Sequence, residues 1–236
     1  MMSTPGIGVA ALICAATLML TVTSHAIAQE TVNVGGVDAV LLKPKTPRAS
    51  VILMPGADGM IGAAPGGVIT RLKGNQLVRT RNSYLARGLA VLVIGAGADL
   101  ASAVQYMAAI KRPVTVIATS RGTVRAAQGI AAGARPDALV LASGFLSPES
   151  GGGPNVQSIL GSPAALPRTL VIHHREDSCK YTLPAGVDPF IRWSAGRARV
   201  AWVSGGIAQG DPCDAQSHHG FNGVDQHVVS LAASFR

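Results

Sequence analysis

The sequence is short of charge. Asp, Glu, Lys and Arg make up 14% of its 236 residues, against roughly a quarter in an average soluble domain. With 48% apolar residues beside so few charges, the composition is the reverse of a long disordered chain. Aromatics are scarcer: 2 Trp, 3 Tyr and 4 Phe. They are scattered, with no interleaving of basic and aromatic residues. The net charge of +8 therefore reads as a cationic surface meeting anionic polymers or substrates, with no nucleic-acid partner expected. Cysteine is rare, at 3 residues, and with this length that excludes a disulfide-stapled miniprotein. Long apolar runs are also few. One stretch alone approaches the length of a bilayer span, which excludes a multi-span membrane protein.

That stretch is at the N-terminus. Residues 1–28 contain no Lys, Arg, Asp or Glu, and residues 7–23 are an apolar run. Ala26-Ile27-Ala28 follows with the small-x-small form of a signal-peptidase site, so cleavage is expected after Ala28. The competing reading is an uncleaved N-terminal membrane anchor. Cleavage predicts a periplasmic or secreted protein with no stable membrane span after processing. It also removes Cys14 and leaves Cys179 and Cys213, which in an oxidising compartment are expected to pair.

The remainder, residues 29–236, reads as a single domain. It opens with a hairpin, residues 31–34 and 37–42 around Gly35-Gly36. Six short apolar runs follow, at 50–54, 90–94, 114–118, 138–142, 169–173 and 200–203. They are continuous rather than alternating, as expected of parallel strands covered on both faces. Helical stretches lie between them: residues 75–87, a segment carrying Leu100, Val104 and Met107, the Ala-rich 121–132, and a last helix with an apolar face of Val224, Val228, Leu231 and Phe235. Residues 147–167, rich in Gly, Pro and Ser, read as a loop. The fold class is α/β, a doubly wound, mostly parallel sheet with an N-terminal antiparallel hairpin.

The third parallel run passes straight into Ala118-Thr119-Ser120-Arg121-Gly122 and then a helix. Ser120 is at the apex of a strand–turn–helix, flanked by small residues that let the two backbones approach. The plainer reading of Ser120 is a helix N-cap. Asp177 follows the fifth run and His219 precedes the last helix. A neutral hydroxyl is a weak nucleophile; it needs an imidazole to take its proton and a carboxylate to hold that imidazole. Glu176 and Asp214 are fallback acids.

With Met54-Pro55-Gly56-Ala57-Asp58-Gly59, Gly74-Asn75-Gln76-Leu77-Val78-Arg79, Thr119-Ser120-Arg121-Gly122-Thr123, His173-His174-x-x-Asp177-x-Cys179, and Asp211-Pro212-Cys213 through His219-Gly220-Phe221, the chain resembles the α/β-hydrolases, of the small, exported, lid-poor kind. The resemblance implies Ser120 as nucleophile, Asp177 as acid and His219 as general base. It implies an oxyanion hole from the backbone N–H groups of Arg121 and Ala57. It departs from the family at Ala118, where the elbow usually has Gly, and at Pro55, in the place of a His. A Cys179–Cys213 bridge would then pin the acid loop to the base loop. Asp58, Asn75 and His218 are candidates for lining the pocket, with turn-forming and N-capping as the plainer roles of Asp58 and Asn75.

No cofactor is implied, since no Gly-rich phosphate loop follows a strand. His173, His174, Cys179, Cys213, His218 and His219 could in principle gather a zinc ion, but their spacing fits no common zinc pattern, and no metal is expected. The expected activity is hydrolysis of an ester or related acyl bond through an acyl-enzyme, on a small or polymer-borne substrate. A non-catalytic binding or envelope protein on the same scaffold, or an acyltransferase with the same triad, are the rival readings.

Overall fold

The computed structural model describes residues 28–236 together with Met1 and Met2. The apolar run of the expected signal peptide lies outside the described residues. Eight strands form one sheet: β1 (Ala28–Val34), β2 (Val37–Lys43), β3 (Ala49–Met54), β4 (Leu89–Val93), β5 (Val114–Thr119), β6 (Ala138–Ala142), β7 (Thr169–His174) and β8 (Ala198–Val203). Their spatial order is β1-β2-β4-β3-β5-β6-β7-β8. The β1–β2 and β2–β4 pairings are antiparallel and the other five are parallel. The β1–β2 turn is made by Gly35 and Gly36 at φ 63° and 85°, the two consecutive positive values that a two-residue hairpin turn demands.

The apolar runs are continuous because both faces of the sheet are covered. On β3, Ile52 and Met54 enter one buried cluster while Val51 and Leu53 enter the other. The first cluster is closed by α3 (Leu100–Ile110), α4 (Arg121–Ala131), α5 (Val156–Leu160) and α6 (Val187–Trp193); the second by α1 (Gln76–Arg79), α2 (Arg81–Leu85) and α7 (Asp225–Ser234). Burial of each Val, Leu or Ile side chain stabilises by about 1.5–3 kcal/mol.

The helical expectation for residues 75–87 needs correction. The segment is two short helices joined at Thr80, whose hydroxyl donates back to the Gln76 carbonyl at 2.7 Å. Such local side-chain bonding competes with helix continuation. Residues 147–167 are not a plain loop. They contain α5, started by a reciprocal cap in which the Asn155 side chain accepts from Ser158 N–H and the Ser158 hydroxyl accepts from Asn155 N–H. On α7, Val228, Val229, Ala232 and Ala233 are buried, the expected Leu231 packs partly buried against the same cluster, and Val224 and Phe235 are at the caps. Also unforeseen were α6 and a two-stranded ribbon pairing Ala63–Ala64 with Val68–Ile69.

Six strands run parallel, so their carboxyl ends share one edge. The segments after β3, β5, β7 and β8 all leave from it, which is where open α/β sheets build their sites.

Candidate active site

Ser120 follows the last residue of β5 and precedes the first of α4. Its backbone lies at φ 53°, ψ −130°, a conformation that costs about 1–3 kcal/mol for a residue with a Cβ. Its side chain makes no N-cap hydrogen bond, so the plainer sequence reading does not describe its geometry. The turn is kept by close backbone packing. A Cβ at Gly122 would collide with the Met54 carbonyl oxygen, and one at Gly56 would stand 2.7 Å from the Cβ of Ser120. Thr123 braces the turn from behind: its hydroxyl donates to the Ser120 carbonyl (2.7 Å) and accepts from Phe145 N–H (3.1 Å).

Asp177 and His219 are both buried, at 3% and 5% exposure. His219 Nδ1 is 3.1 Å from Asp177 Oδ2. A carboxylate can only accept, so Nδ1 carries the proton and the Nε2 lone pair is left for the cleft. The other carboxylate oxygen accepts from Cys179 N–H at 3.0 Å. Glu176 and Asp214 do not hold this ring; Glu176 stands 3.5 Å from His218 instead.

Thr182 joins the Asp177–His219 pair. Its hydroxyl donates to Asp177 Oδ2 at 3.1 Å and lies 2.9 Å from His219 Nδ1, so one proton on Nδ1 is shared between two acceptors. The Thr182 carbonyl in turn accepts from His173 Nε2 at 2.9 Å. His173 is fully buried, and burial pushes its pKa down to about 4, against the opposing pull of Asp177 at 3.6 Å. It is a neutral donor behind Asp177. Sequence reasoning missed Thr182, and no local pattern marks a Thr five residues after an Asp as its partner.

The loops carrying Asp177 and His219 are joined by the Cys179–Cys213 disulfide. Arg79 holds the His219 loop from the other side. Its guanidinium takes both carboxylate oxygens of Asp225, at 2.9 and 3.1 Å, and donates to the carbonyls of Gly74, Ala215 and Gly220.

Opposite, Pro55-Gly56-Ala57 forms the turn after β3, with Ala57 at φ 50°. The Arg125 guanidinium donates to all three carbonyls of this turn, Pro55, Gly56 (3.3 Å) and Ala57 (3.2 Å). Gly59 leaves room for it, since a Cβ there would come within 2.7 Å of Arg125 Cζ. Burial and the neighbouring Arg121 cation lower the pKa of Arg125. Among the described residues no hydrogen bond takes the N–H of Ala57 or of Arg121. Neither donates to another group of the protein, and Arg121 N–H is at the N-terminus of α4.

Ser120 and His219 line the same cleft, of about 280 Å3, with Gly56, Ala57, Asn75 and Gln76. No hydrogen bond between Ser120 Oγ and His219 is present. Such bonds commonly tighten only when substrate enters. Asn75 both lines the cleft and caps α1, accepting from Leu77 N–H. Asp58 borders an adjoining section, accepts from Met60 N–H and pairs with Arg71 at 2.7 Å. His218, expected at the pocket, lies outside the lining; its ring stacks on His174 at 4.3 Å.

His174, Glu176 and His218 bring three metal-ligand atoms within 4.8 Å of one another. The two imidazole planes are only 8° apart. In-plane lone pairs of stacked rings cannot converge on one ion, and His174 already bonds the Gly205 carbonyl and Glu176 N–H. The cysteines of the zinc alternative are joined to each other and supply no thiolate.

No protein-family model matches the chain, and no curated protein matches it in sequence. Solved structures do match. An α/β serine hydrolase homologue from Coxiella burnetii superimposes with a TM-score of 0.60 at 13% identity, over 91% of this chain and 98% of that one. A dienelactone hydrolase from Anabaena variabilis gives 0.60 at 15%, over 89% and 97%. The esterase domain of a Rhodothermus marinus protein gives 0.56 at 16%, over 89% and 99%. With the strand order, the crossovers and the position of the strained serine, these likenesses establish that the chain has the α/β-hydrolase fold.

Proposed function

We propose that the protein is a serine hydrolase that cleaves an ester or related acyl substrate, small or carried on a polymer, through an acyl-enzyme. The observation that supports this most is one arrangement: a strained Ser120 with an uncapped hydroxyl shares a cleft with His219, whose far nitrogen is held by Asp177. In the proposed reaction His219 Nε2 takes the Ser120 proton as Oγ attacks the acyl carbon. The oxyanion that forms is met by the N–H groups of Ala57 and Arg121, each worth about 3–4 kcal/mol by analogy with removal of one donor elsewhere. The tetrahedral intermediate collapses, the bond to the leaving oxygen breaks, and His219 returns its proton to that oxygen. Water then repeats the sequence on the acyl-Ser120 ester and releases the acid.

The named structural neighbours include a serine hydrolase homologue, an esterase domain and a dienelactone hydrolase, which agrees with this chemistry. The disulfide supports placing the protein in an oxidising compartment, periplasmic or secreted, with residues 1–28 as its signal peptide. No helix among the described residues is long and apolar enough to cross a membrane.

Turnover of activated acyl esters of graded chain length tests the reading. Hydrolysis by the wild type, its loss in Ser120→Ala and its survival in EDTA are expected. Zinc-restored loss in EDTA would contradict it, as would turnover by Ser120→Ala equal to wild type.

A further inference from the structure

The cleft at Ser120 has a second arm that the triad does not use. A section of about 280 Å3 bordered by Ala57, Asp58, Ser120, Arg121, Phe145 and Tyr181 adjoins a half-open chamber of about 580 Å3. Arg121, Phe145 and Tyr181 border both, so the two adjoin across these three side chains. Resting on the serine-hydrolase reading, we propose that this chamber takes the acyl group of the substrate, and that this group is aromatic, with an anionic substituent at its far end.

The direction follows from the chemistry. His219 must hand its proton to the leaving oxygen, so the leaving alcohol has to lie on the His219 side, in the smaller cleft beside Asn75 and Gln76. The acyl substituent departs from the other side of the carbonyl carbon, toward Arg121 and the chamber. The smaller cleft then selects a compact alcohol and the larger chamber a bulky acid.

The shape of the acid follows from the walls. The Phe145 and Tyr181 rings lie 14° from parallel with centroids 6.2 Å apart, offering aromatic surface where the two adjoin. Flat π-systems gain from such faces beyond the area they bury. Gly151, Gly152 and Gly153 form one rim, so no side chain from these three residues closes the chamber.

The charge follows from what the lining contains. Arg121 and Arg125 both border the chamber, and no Asp or Glu does. Arg121 is exposed and none of the ion pairs among the described residues uses it. Lys180, outside the lining, holds its ammonium 5.1 Å from the Tyr181 ring centroid. The carboxylate bordering the adjoining section, Asp58, is matched by Arg71. A chamber with cationic walls and an apolar floor favours an anion carried on a ring over a neutral chain.

The test uses the intact protein and methyl esters, so that the leaving group stays small. Methyl hydrocinnamate, its para-carboxylate derivative and methyl butyrate are compared, with phenyl acetate as the inverted arrangement. The para-carboxylate ester is expected to exceed methyl hydrocinnamate by about tenfold in kcat/KM, the ratio falling with added salt. Arg121→Gln should bring that ratio towards one. Tyr181→Ala should lower both aryl-acyl esters by about tenfold and methyl butyrate by much less. Equal rates for the charged and neutral esters, a uniform effect of Tyr181→Ala, or a preference for phenyl acetate would each overturn the proposal. A binding measurement separates it from the catalytic reading. Ser120→Ala protein should bind para-carboxyhydrocinnamate, and the Ser120→Ala/Tyr181→Ala double variant should bind it about tenfold more weakly. Binding without turnover in the wild type would sink the hydrolase and keep the chamber; turnover of simple esters without this binding would do the opposite.

Discussion

The two sides of the cleft are held by different means. The nucleophile side is built on neighbouring parallel strands. Ser120 and the Pro55-Gly56-Ala57 turn leave the ends of β5 and β3, which pair from Ser50–Val114 to Met54–Ala118, and Gly56 and Gly122 let the backbones touch. The acid–base side hangs on irregular loops after β7 and β8. There the order comes from a disulfide, the Arg79 clamp and the buried Thr182 bridge. Regular structure places the group that must be strained; cross-links place the pair that must be aligned. Disturbing the first side should remove chemistry and spare stability, whereas disturbing the second should cost both.

The largest effect belongs to the first side. Ser120→Ala should lower kcat by about five to six orders of magnitude while leaving the thermal midpoint unchanged or raised, because alanine sheds no contact that the fold uses. Steady-state kinetics beside calorimetry checks this. Asp177→Asn should lower kcat by about 10⁴-fold, since the amide can donate to His219 Nδ1 and so favour the wrong tautomer.

The second side answers to its cross-link. The Cys179→Ala/Cys213→Ala double variant should lose about 3–4 kcal/mol of stability in the chain-entropy account, and lose activity before it unfolds, as read by parallel denaturant titrations. Arg125 tests whether the first side is as self-supporting as it looks, because its guanidinium spans the oxyanion turn. Arg125→Met should lower kcat by about ten- to hundredfold with little change in KM, and guanidinium added to the buffer should restore part of the rate. Arg125→Lys should restore less, as an ammonium lacks the planar fork for three carbonyls.

A further effect is a pH dependence of stability behind Asp177. His173 titrates at about 4 in the folded protein against 6.5 ordinarily. Between those values the unfolded chain binds a proton that the native protein refuses, so stability is complete above pH 6.5 and declines as pH falls towards 4. The decline amounts to about 3 kcal/mol. His173→Gln should flatten that part of the stability–pH curve; an unchanged slope would show that other groups carry it.

The same division governs what was legible in the amino-acid sequence. Apolar runs mark β3 to β8 to within a few residues, because doubly covered strands need unbroken hydrophobicity. Ser120, in its strand–turn–helix, carries a local pattern. Asp177 and His219 were reached by chain order on a resembled fold, and their meeting at 3.1 Å is a tertiary fact. Thr182 and Arg125 carry no pattern of their own, since each acts on backbone or side chains far from it in sequence or hidden from periodicity. Helix α5 escaped because five residues are too few to show a period. The break at Thr80 depends on a hydroxyl choosing a carbonyl, which hydrophobic patterning does not encode.

The account stands on Ser120 being an activated nucleophile, and covalent labelling reads that directly. The folded protein is treated with a fluorophosphonate, digested and mapped by mass spectrometry. One phosphonyl group on the peptide carrying Ser120, absent from Ser120→Ala and strongly slowed in His219→Ala, is the predicted result. No adduct on the wild type, or an adduct on another residue that persists in Ser120→Ala, would contradict it.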